Sequence, residues 1–210
     1  MAIRYDCVMR LIGLTGNIAA GKSAVAARLA ALGAHLVDAD VLAREAVAPG
    51  SPALAAIAAR WGPGVLTSAR ALDRAALRRI VFNDPAERAA LDAIVHPEVA
   101  RRRETAVAAA AAAGADLVIC DIPLLFEAGL EDTVDAIILV DAPIAVRRER
   151  LIRDRGLSPT EADAMMAAQM PSDLKRARAD FIIENAGTRD ALTAQVDALW
   201  QTLDPRSPHG

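Results

Sequence analysis

The segment Gly13-Leu14-Thr15-Gly16-Asn17-Ile18-Ala19-Ala20-Gly21-Lys22-Ser23 constrains what this chain can fold into more than any other. Within it, Gly16-x-x-x-x-Gly21-Lys22-Ser23 fits the phosphate-loop pattern, and its flanks are the ones that pattern requires, a strand before and a helix after. The run from Val8 to Leu14 reads as a buried strand, whereas from Lys22 to Leu32 the apolar spacing is helical and stops at Gly33, a C-cap residue. Each part of the loop has a physical task. Backbone N–H groups at a helix N-terminus attract an anion, an ammonium reaches its outer oxygens, and a hydroxyl can ligate a cation. Only two of the 24 basic residues are lysine, Lys22 and Lys175. In a chain that uses arginine almost everywhere else, Lys22 marks a place where a compact, flexible charge is wanted and a planar guanidinium does not substitute.

A second short strand follows at His35 to Asp38, and then apolar runs at Leu117 to Asp121, Ala136 to Asp141 and Phe181 to Ile183. Continuous apolar runs of this kind are strands covered on both faces, and their alternation with helical segments implies an α/β fold, a doubly wound parallel sheet of the P-loop NTPase type. Ligands then sit outside the carboxyl ends of the strands. The core is expected in segments 1–46, 115–146 and 179–204. Residues 47–114 are helical throughout and too long for a simple crossover, so they are expected to form a lobe over the site. The arginine-rich hairpin at 147–178 is expected as a lid, and 205–210 as a disordered tail. Helix starts are marked by Ser51-Pro52, Asp73, Asp84-Pro85-Ala86-Glu87 and the capping box Ser158-Pro159-Thr160-Glu161, while His96-Pro97 is expected to open a further helix closed by Gly114. The last helix should run from about Asp190 to Leu203.

Composition narrows the possible partners. The net charge of -3 argues against a nucleic-acid backbone as ligand. No run of about eighteen apolar residues suggests a membrane span. The N-terminal stretch lacks the layout of a secretory signal, so a cytoplasmic protein is expected. Cys120 reads as a small core residue and Cys7 lies near the N-terminus; neither has the spacing of a metal or redox pair.

Two acids, Asp38 and Asp40, leave the second strand at the edge where the phosphate loop opens. Either can orient or deprotonate an acceptor hydroxyl, and either can cap the next helix; position alone does not choose. Asp121 has the form of a cation-orienting strand-end acid. For His96, a helix N-cap or a packed core position is the better reading. Among Arg147, Arg148, Arg150, Arg153 and Arg155 the solvated face is the expectation for any single residue, and Met165, Met166 and Met170 read as packing residues.

With those residues in hand, the chain resembles the dephospho-coenzyme A kinases over about Met9 to Leu203. The resemblance rests on Ile12-Gly13-Leu14-Thr15-Gly16 into the loop, Asp38-Ala39-Asp40, His96-Pro97, and Asp121-x-Pro123-Leu124-Leu125-Phe126-Glu127. Gln169-Met170-Pro171 with Lys175-Arg176, and Ala179-Asp180-Phe181-Ile182-Ile183-x-Asn185, complete it. It implies transfer of the ATP γ-phosphate to the 3′-hydroxyl of dephospho-coenzyme A, with Mg²⁺ as cofactor. It further implies Asp40 and Lys22 as catalytic residues, which favours Asp40 over Asp38. Nucleotide contacts would come from Gly16, Asn17, Ile18, Ala19, Ala20, Gly21, Lys22, Ser23, Ala24, Arg150 and Asn185. Substrate contacts would come from Thr15, Asp40, His96, Pro123 and Leu124, and metal contacts from Ser23 and Asp121. The implied partners are ATP and dephospho-coenzyme A, with no nucleic acid or membrane, and the chain would be a monomer or weak homo-oligomer.

This chain departs from the family's usual Gly-Gly-Ile-Gly-Ser-Gly-Lys-Ser at Asn17, Ala19 and Ala20. Asn17 tolerates a left-handed backbone, whereas the two alanines predict ordinary backbone angles. In the lid, Asp154 stands where an arginine is common. A GTPase-like switch is excluded because neither lysine sits in the Asn/Thr-Lys-x-Asp string that reads guanine. A kinase for another small molecule would share the loop and the lid, and only the combination of motifs separates it.

Overall fold

The computed structural model describes residues 9–82 and 84–203. Cys7, the expected strand start at Val8 and the expected tail at 205–210 therefore lie outside the described residues. The chain divides into two units, Met1–Val37 with Ala110–Gly210, and Asp38–Ala109.

The first unit is built on a five-stranded parallel sheet in the order β2-β3-β1-β4-β5. Its strands are β1 (Arg10–Gly16), β2 (His35–Asp38), β3 (Leu117–Asp121), β4 (Ala136–Asp141) and β5 (Phe181–Glu184). The run before the loop thus pairs through Gly16, two residues beyond the expected end. β3 and β4 are buried along their whole length, as their unbroken apolar runs require. β1 lies between them, pairing Leu14 with Asp121 on one side and Gly16 with Val140 on the other. The strand order reverses at β1, so the loop leaving its carboxyl end opens where ligands bind in such sheets. On one face Ile12, Leu14, Ile119, Ile138 and Val140 pack with helices α1 (Lys22–Leu32) and α9 (Arg189–Leu203) through Val25, Leu29, Val196 and Trp200. On the other, Gly13 leaves room for Leu125 and Val134; an added Cβ would come within 2.6 Å of Leu125.

The second unit holds α2 (Ala39–Ala46), α3 (Pro52–Trp61), α4 (Arg74–Val81) and most of α5 (Pro85–Ala112) around Val47, Ala53, Ile57, Val65 and Leu77. Ser51 and Asp73 cap α3 and α4 as the sequence predicts. The expected break at His96-Pro97 is absent: α5 is one helix of 28 residues with Pro97 inside it. Proline there forfeits one backbone hydrogen bond to Ala93, a cost of one lost bond that the flanking turns and the helix formers around it outweigh. His96 is consequently neither a cap nor a core residue. Its side chain is 68% exposed and pairs with Asp92 one turn earlier, at 3.6 Å.

Returning to the first unit, the hairpin comprises α6 (Ile144–Arg155), α7 (Pro159–Ala167, with its capping box) and α8 (Ser172–Arg176). Met165 is exposed rather than packed, because the buried position of α7 is taken by Ala162. Among the described residues no helix is long and apolar enough to cross a membrane.

Candidate active site

Gly21, at φ 97°, precedes α1 and offers it no side-chain cap, and the first turn of α1 holds no acidic residue. A helix start left this way presents backbone donors and a positive dipole end to an anion. Gly16 has to be glycine: a Cβ there would stand 2.7 Å from the Val140 carbonyl oxygen of β4. Ala19 overturns the expectation of ordinary angles. Its φ is 59°, in the left-handed region, which alanine takes at a cost of roughly 1–2 kcal/mol. Ala20 has no positive φ and is fully buried.

Lys22 and Asp121 meet in an ion pair, with side chains 17% and 8% exposed. Asp121 reaches the loop because β3 lies beside β1 and ends level with Leu14. Asp38 and Asp40 separate cleanly. The Asp38 carboxylate accepts hydrogen bonds from the Asp40 and Val41 backbone N–H groups at 2.8 and 3.1 Å, so it is the N-cap of α2. Asp40, in the first turn of that helix, is exposed.

The other expected contacts divide. Arg150 leaves α6 to donate to the Ala19 and Ala20 carbonyl oxygens at 3.1 and 3.4 Å and to the Asn185 carbonyl oxygen at 3.0 Å. The Asn185 side-chain amide donates to Ala20 O at 2.7 Å. Both therefore touch the loop itself, and Arg150 is not part of a solvated face. Arg148 and Arg153 do follow that expectation, pairing on the surface with Asp163 and with Glu149 and Asp154. Thr15 is fully buried, its hydroxyl donating to the Pro123 carbonyl oxygen at 3.1 Å, while Leu124 is 48% exposed.

A network the sequence reading missed holds the loop's first half. The Asn17 side-chain amide donates to Ser172 Oγ at 2.7 Å and to Asp141 Oδ1 at 3.2 Å. The Ile18 N–H donates to the Gln169 side-chain oxygen at 2.7 Å. Arg147, which was expected on the surface, is buried and bonds Ala142 O and Ser172 Oγ; burial pushes its pKa down, offset in part by Asp141. Arg176 pairs with Glu184 and Asp141, and those bonds, Glu184's first, raise its pKa. Lys175 is completely buried, its ammonium 2.7 Å from Glu127 Oε1. Burial, the largest single influence, pushes the Glu127 carboxyl up, but the close Lys175 ammonium and backbone donors together hold it below the usual carboxylate range. The scarcity of lysine that singles out Lys22 applies equally to Lys175, and a lysine kept in an arginine-rich chain was the available signal.

The family model described as Dephospho-CoA kinase matches residues 10–190. The chain belongs to the dephospho-CoA kinase family. A family member from Anaeromyxobacter dehalogenans is 55% identical over 197 residues, covering 93% of this chain and 92% of its own. Another from Thermobifida fusca is 46% identical over 198 residues, covering 94% and 98%. The crystal structure of TT1252 from Thermus thermophilus superposes with a TM-score of 0.80 at 39% identity, covering 93% of this chain and 98% of that one. Membership in the dephospho-CoA kinase family makes this chain an ATP-dependent transferase acting on an alcohol group, a class of reaction consistent with a divalent cation.

Proposed function

We propose that this chain transfers the γ-phosphoryl group of ATP to the 3′-hydroxyl of dephospho-CoA, with Mg²⁺ as the metal, and that Asp40 orients that hydroxyl and takes its proton. The observation that carries the reading is the uncapped start of α1 behind a glycine loop, with Lys22 at its end and Asp121 beside it. Backbone donors of the loop bind the phosphate chain, and the Lys22 ammonium exchanges Asp121 for phosphate oxygens as charge builds on the transferring group. Asp38 is committed to capping α2, which leaves Asp40 as the carboxylate available for a substrate proton.

The donors for a metal are the Ser23 hydroxyl and the Asp121 carboxylate, both hard oxygen ligands. Among the described residues no group of three or more His, Cys, Asp or Glu could hold an ion by itself. That fits a metal held mainly by phosphate oxygens and water, the habit of Mg²⁺. When bound, the ion supplies charge neutralisation on the phosphate oxygens.

The lobe at 47–114 is assigned to the acceptor substrate, with His96, and the hairpin at 147–178 to the nucleotide side, with Arg150 and Asn185. Pro123 and the exposed Leu124 offer apolar surface to the acceptor, and Thr15 fixes their loop through the Pro123 carbonyl. The protein is assigned to the cytoplasm as a monomer or weak homo-oligomer. ADP release measured with ATP and Mg²⁺ alone, then with dephospho-CoA or with adenosine monophosphate, tests the reading. Release confined to dephospho-CoA is expected; equal turnover with adenosine monophosphate overturns the acceptor assignment.

A further inference from the structure

Among the described residues Ala19 and Arg70 are the only non-glycine residues with positive φ, and Ala19 stands in the middle of the phosphate loop. A left-handed alanine persists only where its surroundings over-determine it. Here two side chains do so. One nitrogen of the Arg150 guanidinium reaches both the Ala19 and Ala20 carbonyl oxygens, the other reaches Asn185 O, and the Asn185 amide adds a second bond to Ala20 O. Asn185 is itself anchored, its backbone N–H donating to Asp141 O at 2.7 Å, and it is buried. Gly21 completes the fit, since a Cβ there would fall 2.1 Å from the Asn185 amide nitrogen.

In a planar trans peptide the carbonyl and the following N–H point in opposite directions. Fixing the Ala20 carbonyl toward Arg150 and Asn185 therefore turns the Gly21 N–H the other way. Fixing the Ala19 carbonyl does the same for the Ala20 N–H, which closes on Asn17 O at 3.0 Å and shapes the turn. A turn of this kind, with Ala19 and Gly21 both at positive φ, makes an anion-binding concavity of its free N–H groups.

We propose that Arg150 is a positioning residue for phosphate binding: its guanidinium grips the phosphate loop by its carbonyl side, holds Ala19 left-handed, and so keeps the Gly21 N–H presented to the triphosphate. The proposal rests on the ATP-dependent reading above and deepens it. Arg150 acts through the backbone, and its importance is tied to residue 19 being alanine.

The test is a double-mutant cycle in the full chain between Arg150→Ala and Ala19→Gly, read as the dissociation constant for ATP with Mg²⁺ by titration calorimetry, without an acceptor. Steady-state KM and kcat accompany it. Arg150→Ala alone is expected to weaken ATP roughly tenfold and to raise KM for ATP in proportion, with kcat at saturation changed less than about threefold, because the strain of a left-handed alanine then falls on the free loop. Ala19→Gly removes that strain, since glycine adopts positive φ freely. In that background Arg150→Ala is expected to cost less than about threefold. Equal losses in the two backgrounds overturn the proposal and place Arg150 in direct contact with the nucleotide. Should Arg150→Ala fail to fold, Arg150→Lys serves in the same cycle: it keeps the charge but cannot span Ala19 O and Asn185 O, so the same rescue by glycine is expected and its absence overturns the proposal. A wild-type protein that does not bind ATP would instead refute the functional reading, a result separable from an additive cycle.

Discussion

Replacing Lys175 with methionine separates the ion pair behind the phosphate loop from the loop itself. Lys175 is fully buried, and its ammonium lies 2.7 Å from a Glu127 oxygen that also accepts the Met170 N–H at 3.1 Å. Methionine fills nearly the same volume, so no large cavity opens and the change is electrostatic. It leaves the Glu127 carboxylate with a backbone donor in place of a cation. Removing one partner of a buried pair costs about 3–5 kcal/mol. The Glu127 side chain keeps 22% of its surface, and that access to water puts the expected loss at the lower end, about 3 kcal/mol. For a chain of this size each kcal/mol moves Tm by about 2–4 °C, which gives a drop of roughly 6–12 °C in a thermal melt followed by circular dichroism at pH 7. Glu127→Gln in the Lys175→Met background removes the stranded charge and should restore more than half of the loss. A single variant melting within about 2 °C of wild type, or a double variant melting below the single one, refutes the reasoning.

The same pair sets a pH dependence. Because the folded protein holds the Glu127 carboxyl below its ordinary range, the pair's contribution is complete above the unfolded value near 4.3 and is lost as pH falls through the folded one. The Tm gap between wild type and Lys175→Met should therefore shrink as melts are taken below about pH 4.3; a gap that widens in acid contradicts the assignment. Asp38→Ala should cost about 1 kcal/mol of stability as the loss of an N-cap and leave turnover within a few-fold. A rate loss of orders of magnitude there would mean the wrong carboxylate has been placed in the chemistry. Gly16→Ala should destabilise by about 1–3 kcal/mol or prevent folding, because its Cβ meets backbone oxygen rather than a yielding side chain. An unchanged melt would show that the loop can shift. Lys22→Ala should remain folded by circular dichroism while ATP turnover falls by about two orders of magnitude or more, and turnover within tenfold of wild type would remove the ammonium from the mechanism.

How much of this was readable in advance depends on how local the cause is. The inner strands announce themselves as apolar runs because both of their faces are buried, the edge strands β2 and β5 less so because half or more of their residues keep contact with solvent, and the caps at Ser51, Asp73 and Ser158 are visible because capping depends on neighbours in the chain. The unbroken α5 was not legible, since whether a proline kinks, ends or rides within a helix depends on what stabilises the turns either side. Nor was the left-handed Ala19, whose carbonyl and that of Ala20 are bonded by Arg150 and Asn185, more than a hundred residues away in the chain. The phosphate loop and its lysine were legible from spacing alone. The part that Gln169, Ser172 and Asp141 play in holding the loop was not, although Gln169 stands in a motif the sequence shows, because these partners meet only in the folded chain. Asp38 and Asp40 lay between these cases. Two carboxylates two residues apart are equivalent as a pattern, and only the hydrogen bonds to the start of α2 tell the cap from its neighbour.

The most direct measurement of the chemistry assigned to Asp40 compares Asp40→Asn with wild type in two quantities at once, the dissociation constant for ATP with Mg²⁺ and kcat with dephospho-CoA. An unchanged affinity with kcat reduced by several orders of magnitude is the predicted result, since the amide still fits the helix but cannot take a proton. Asp40→Asn turning over at a rate near wild type would contradict it.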